Sequence, residues 1–198
     1  MRKSREETAE TRKRIVASSS RAFRENGIDG TGLSELMQAA GLETQGGFYK
    51  HFASKGQLVT EAMQASLDEL IAGVERRTAE AEPGAAIDVL VKGYLSKRHR
   101  EQVADGCPLA ALGTELRRAD EETSQVATDG LKRLVRAVAK QVDAKRVDAG
   151  SRREAQKRAI GVVSAMVGGL MLSRIANDAS LADAFLRETR EFILQHHR

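Results

Sequence analysis

The sequence predicts an all-α fold, on three observations. Ala, Leu, Glu, Arg and Lys dominate a 198-residue chain that carries only two prolines, Pro83 and Pro108, a composition that favours helix over sheet. Apolar residues recur at helical spacing along most of it, and no stretch alternates as a strand would. Glycines punctuate the periodic segments at points where helices would stop.

A first helix fits residues 8–26, where Ile15, Ser19, Ala22 and Phe23 share a face and Gly27 supplies the stop. A short second helix fits residues 33–40, with Leu33, Leu36, Met37 and Ala40 at helical spacing and Gly41 ending it. A third starts near Thr44. A fourth follows Ser54, a natural N-cap, and runs to about residue 81. Pro83 suits the first position of a helix reaching about residue 98, and KRHREQVADG reads as a loop. Pro108 opens a further helix in CPLAALGTELRRA. Residues 122–147 form a long amphipathic helix carrying Val126, Leu131, Leu134, Val135, Val138 and Val142. A helix rich in apolar and small residues covers 152–176. The last, 181–196, has Phe185, Leu186, Thr189, Phe192 and Ile193 on one stripe.

Three short helices separated by glycine-containing turns in the first 52 residues suggest a helix-turn-helix. The stretch GGFYKHFASK, residues 46–55, gathers three of the chain's seven Phe and Tyr residues within five positions. Phe48 and Phe52, four apart, can plug the core of the three-helix unit, so Tyr49, Lys50 and His51 project away from it. Gly46 and Gly47 let this helix lie close against another surface.

Charge adds direction. Residues 1–55 hold ten Lys and Arg against seven Asp and Glu, whereas the remainder holds 22 against 21. The basic excess therefore sits in the first quarter, as expected of a part that meets a polyanion. Cys107 is the single cysteine, so no intrachain disulfide forms and a reducing compartment is expected. The N-terminus lacks the apolar run of a signal peptide, and the apolar run 159–172 is shorter than the ~20 residues of a spanning helix. A soluble, cytoplasmic protein is the expectation.

TRKRIVASSSRAFRENG, TGLSELMQAAGL and above all GGFYKHFASKGQL resemble the TetR family of one-component bacterial regulators. That family's signature follows the helix-turn-helix with aromatic-Tyr-x-His-Phe-x-Ser-Lys, which Phe48 to Lys55 match. The resemblance is specific over residues 8–60 and architectural beyond. It implies a DNA-binding domain over residues 1–55, and an effector-binding and dimerisation domain over 56–198. It further implies a homodimeric repressor that binds a palindromic double-stranded operator and is released by a small-molecule effector, with no cofactor, metal or membrane. Thr44, Gln45, Gly46 and Gly47 would open the recognition helix in the major groove. Thr31, Tyr49, Lys50, His51 and Lys55 would contact phosphates, with Arg12, Lys13 and Arg14 as further candidates. Gln45 is the best reader of a base edge, because its amide can pair bidentately with adenine. The turn between Gly41 and Phe48 holds six residues where the family usually has five, most simply through Glu43.

In the second half, Gly161, Ala165 and Gly168 with Phe185 and Phe192 are candidates for a four-helix dimer interface, since small residues let helices approach closely. Tyr94, His99, Cys107, Met166 and Leu170 are candidates for a ligand pocket between helices. Cys107, at an apparent helix N-cap, admits two readings: a thiolate stabilised by the helix dipole that senses electrophiles or oxidants, or a small buried residue. The alternative function is an all-α small-molecule-binding protein or enzyme without specific DNA recognition. Enzyme signals are poor: HExxH, CxxC, GxSxG and Walker motifs are all missing, and GIDGTG has neither the spacing nor the strand of a dinucleotide loop.

Overall fold

The computed structural model describes residues 5–42, 45–142 and 149–196. Among them the elements are all helical: α1 (Arg5–Asn26), α2 (Leu33–Ala39), a 3₁₀ helix (Gln45–Lys50), α3 (Lys55–Ala79), α4 (Ala86–Tyr94), α5 (Lys97–Glu101), α6 (Pro108–Leu116), α7 (Glu121–Val142), α8 (Ala149–Ile175) and α9 (Ala179–His196). Gly27 and Gly41 end α1 and α2 with φ of 82° and 74°, a left-handed conformation that other residues adopt only with strain.

α1 buries Ile15, Ser19 and Phe23, and α2 adds Leu36 and Met37. Both close over Phe48 and Phe52, which are 0% and 2% exposed and stacked with ring centroids 5.5 Å apart. Burying two such rings is worth several kcal/mol to a unit this small. Ser54 caps α3 by accepting from the Gln57 N–H at 3.1 Å, while the Gln57 side chain accepts from the Ala53 N–H at 2.7 Å.

α3 packs against α1 on one flank and α7 on another. The apolar core runs without interruption from Ile15 and Phe23 through Leu58 and Leu67 to Leu134, Val138, Leu170 and Ile193. Two crossings are too tight for a side chain. A Cβ on Gly130 of α7 would stand 2.5 Å from Leu67 Cδ1, and one on Gly169 of α8 would stand 2.8 Å from Thr189 Oγ1 of α9.

Three expectations are corrected. The 3₁₀ helix replaces an α-helix after α2; consecutive Gly46 and Gly47 have poor helix propensity, and His51 N–H bonds the Phe48 carbonyl three residues back. The helix expected to open at Pro83 starts only at Ala86, after a turn at Pro83 and Gly84 (φ 85°), and does not reach residue 98. Ser96 interrupts it, donating to the Gly93 carbonyl (2.9 Å) and capping α5 by accepting from the His99 N–H (3.2 Å), so residues 97–101 are helical, not loop. Residues 152–175 are, by length and composition alone, long and apolar enough to cross a membrane; in this fold they pack against α6, α7 and α9.

Candidate nucleic-acid interface and the bundle cavity

The end of the molecule built from α1, α2 and the 3₁₀ helix presents the candidate DNA-contacting groups. Tyr49 is 67% exposed, because Phe48 beside it faces the core and the two rings meet edge-on at 5.2 Å. Lys50 is exposed and His51 partly so. Gly47 lies against α2, where an added Cβ would be 3.6 Å from Met37 Cε. Gln45 and Gly46 open the 3₁₀ helix; Glu43 and Thr44 lie outside the described residues, so the longer turn and the start of the recognition helix do too.

Thr31 needs correction as a phosphate ligand: it is 1% exposed and its hydroxyl donates to the Gly27 carbonyl at 2.6 Å. Lys55 also has an internal partner, the Ile28 carbonyl at 2.6 Å, which leaves its other N–H groups for solvent or phosphate. Arg12 is held by two bonds to the Glu61 carboxylate, a bond to the His51 carbonyl and the Phe52 ring 4.4 Å beneath its guanidinium. It therefore braces His51 and α3 from behind. Lys13 and Arg14 are exposed.

The back of this unit is tied to the bundle by polar bonds. Glu115 of α6 accepts from the Ile28 N–H at 2.8 Å and the Asp29 N–H at 3.4 Å, and a Cβ on Gly27 would press on its carboxylate at 3.1 Å. Ser20 bonds Ser66 of α3 at 2.6 Å, and Arg21 pairs with Asp105. Arg24, 5% exposed, donates from Nε to the Ala104 carbonyl at 2.5 Å.

A cavity of about 560 Å³ lies between α1, α3, α4 and the 96–107 segment. Tyr94, His99 and Cys107 line it. Met166 and Leu170, expected there, are 3% and 0% exposed and absent from its wall; both belong to the core. His99 Nδ1 donates to the Tyr94 carbonyl (2.8 Å), which leaves Nε2 to accept from the Cys107 N–H at 3.0 Å. Burial pushes its pKa down to about 4, with Arg174 and Arg77 adding to the effect against the Tyr94 bond. The Cys107 thiol is fully buried, and burial raises its pKa despite the Tyr94 hydroxyl and the α6 N–H groups. The reactive-thiolate reading is thus corrected: desolvation outweighs the helix terminus.

On the far side, α8 and α9 leave apolar groups uncovered. Ile160, Leu172 and Ile175 of α8 and Leu181 and Phe192 of α9 are 41–69% exposed. A Cβ at Gly161 or Gly168 would meet nothing within 4 Å. Ala165 and Phe185 are half-buried.

Residues 15–62 match the family described as bacterial regulatory proteins, tetR family. Residues 83–187, more than half of the chain, match the C-terminal domain of LmrA/YxaF-like transcriptional regulators. The chain belongs to the TetR family. The uncharacterised HTH-type transcriptional regulator Rv0196 of Mycobacterium tuberculosis is 26% identical over 189 residues, covering 92% of this chain and 94% of its own. HTH-type transcriptional regulator LmrA of Bacillus subtilis is 25% identical over 178 residues, covering 86% and 90%. A TetR regulator from Chloroflexus aurantiacus shares the fold with a TM-score of 0.75 at 24% identity, covering 95% and 96%. This TetR-family chain is accordingly a DNA-binding transcriptional regulator and not an enzyme.

Arg24 is one of the cavity residues that the sequence does not single out. The signal was slight: Ser20 and Arg24 stand four apart on the flank of the Ile15–Ser19–Phe23 stripe, so both face the bundle rather than solvent.

Proposed function

We propose that this TetR-family regulator is a cytoplasmic homodimeric repressor that binds a palindromic operator and is released by a small molecule held in the bundle cavity. The observation that carries the reading is the position of α1. Its Ile15 and Phe23 belong to the core that seats the Phe48–Lys55 segment, and its Arg24 lines the cavity. A ligand that favours one setting of α1 over another thereby changes the presentation of Tyr49 and Lys50 to phosphates. The exposed apolar faces of α8 and α9 support pairing of two copies, which would place two reading units on half-sites about one helical turn apart.

Selection from random duplex DNA with the purified protein tests this, and an enriched inverted repeat is the expected outcome. Tyr49→Ala should weaken binding to all duplexes alike, while Gln45→Ala should also relax base preference. Failure to enrich any sequence from the folded, ligand-free protein would refute the repressor reading.

A further inference from the structure

We propose that the cavity takes a small organic anion, a carboxylate on an apolar body, whose acidic group is received by Arg24. This rests on reading the cavity as the effector site and names the chemical class of the effector.

The wall is unusually rich in guanidinium. Arg24, Arg76, Arg77 and Arg98 line it against two carboxylates, Glu69 and Asp105, and Asp105 is already paired with Arg21 outside the wall. Arg76, Arg77 and Arg98 are exposed at the rim, where a positive field draws anions in. Arg24 is different, because it is buried. Its Nε bonds the Ala104 carbonyl; no carboxylate stands within ion-pair distance, although Glu69 of the same wall attracts it electrostatically, and its two terminal nitrogens make no hydrogen bond among the described residues. A buried guanidinium costs several kcal/mol unless an anion compensates it, and burial is the main influence on this one, holding its pKa down. The two free nitrogens form the fork that receives a carboxylate through parallel bonds.

A second buried polar group stands in the same wall. Tyr94 is 4% exposed and its hydroxyl has the Cys107 thiol, a weak partner, beside it. A hydroxyl with only a thiol beside it is under-satisfied, and this one would donate to a ligand oxygen. Leu70, Val74 and Leu90 supply an apolar side to the cavity, which suits the body of an organic acid better than a bare inorganic ion. The volume falls in the range of small-molecule sites. Because Arg24 stands on α1, the ligand's charge acts directly on the helix that seats the DNA-reading unit.

Three probes of one shape decide the matter: 2-naphthoate, 2-naphthylmethanol and 2-naphthylmethylammonium, titrated calorimetrically into the wild-type dimer. Naphthoate should bind about tenfold more tightly than the alcohol, with the ammonium weakest. Arg24→Gln should erase that ranking, and Arg77→Gln, at an exposed position, should reduce the salt dependence of naphthoate binding. Alcohol or ammonium binding as tightly as naphthoate, or no naphthoate binding at millimolar concentration, overturns the proposal. An unchanged ranking in folded Arg24→Gln overturns the assignment to that residue. Should Arg24→Gln not fold, the wild-type ranking still decides the ligand class. Operator retardation by the ligand-free protein is measured alongside. A sound operator complex with failed anion binding removes the anion alone, whereas no operator complex removes the repressor reading.

Discussion

Lowering the pH should loosen the cavity wall through His99. In the native state this ring is neutral, bonding the Tyr94 carbonyl through Nδ1–H and accepting the Cys107 N–H at Nε2. Protonation would turn Nε2 into a donor facing another donor. In the unfolded chain the ring takes a proton near pH 6.5, whereas in the fold it resists until about pH 4. Between those values the unfolded state binds more protons, so stability falls as pH falls; above pH 6.5 the contribution is fully present. The depression corresponds to about 3 kcal/mol at its limit. Urea unfolding at half-unit steps from pH 7.5 to 4 should therefore show wild type losing about 3 kcal/mol more than His99→Gln, which removes this titration and leaves the carboxylates common to both. An NMR titration of the His99 ring should place its midpoint near 4. Parallel pH curves for the two proteins, or a midpoint above 6, would refute the reasoning.

Other outcomes follow from packing and exposure. Gly130→Ala should destabilise by about 1 kcal/mol in urea, because overpacking against Leu67 outweighs the gain in helix propensity; a stabilised variant would contradict the observed crossing. Ile175→Glu, at a position 69% exposed, should leave circular dichroism unchanged and convert the proposed dimer to monomer in analytical ultracentrifugation at micromolar concentration. Cys107 should react with a thiol-specific disulfide reagent far more slowly in native buffer at pH 8 than in guanidinium, and equal rates would restore the reactive-thiolate reading.

The parts of the fold legible in the sequence are those governed by local chemistry. Gly27 and Gly41 mark left-handed stops, Ser54 and Pro108 mark helix starts, and the four-residue spacing of Phe48 and Phe52 marks a shared face. Ser96 is equally local but is not legible, since a cap inside an apolar-periodic stretch competes with continuation of the helix and the pattern alone does not say which wins. The role of Thr31 is not legible because its hydroxyl partner is a backbone carbonyl, which no side-chain pattern reveals. Sequence could not show the long-range bonds at all. Glu115 lies 87 positions from Ile28, and Arg24 lies 80 from Ala104; both are unremarkable charged residues until the chain folds. The same holds for the cavity, whose arginines come from α1, the end of α3 and α5.

The ties behind the reading unit bear on whether it can be transplanted. A chimera that grafts residues 1–55 onto a relative's bundle would sever Ser20 from Ser66, Arg24 from Ala104 and the Ile28 amide from Glu115, and would exchange Gly56 and Leu58 at the first turns of α3. On the proposed function, such a hybrid would keep its DNA-facing groups but lose its response to the cavity ligand, since the connecting bonds would go with the recipient's side chains. A junction after α3, near Gly84, with Glu115 and the 104–107 segment matched to the donor, is the cut that would keep the switch portable.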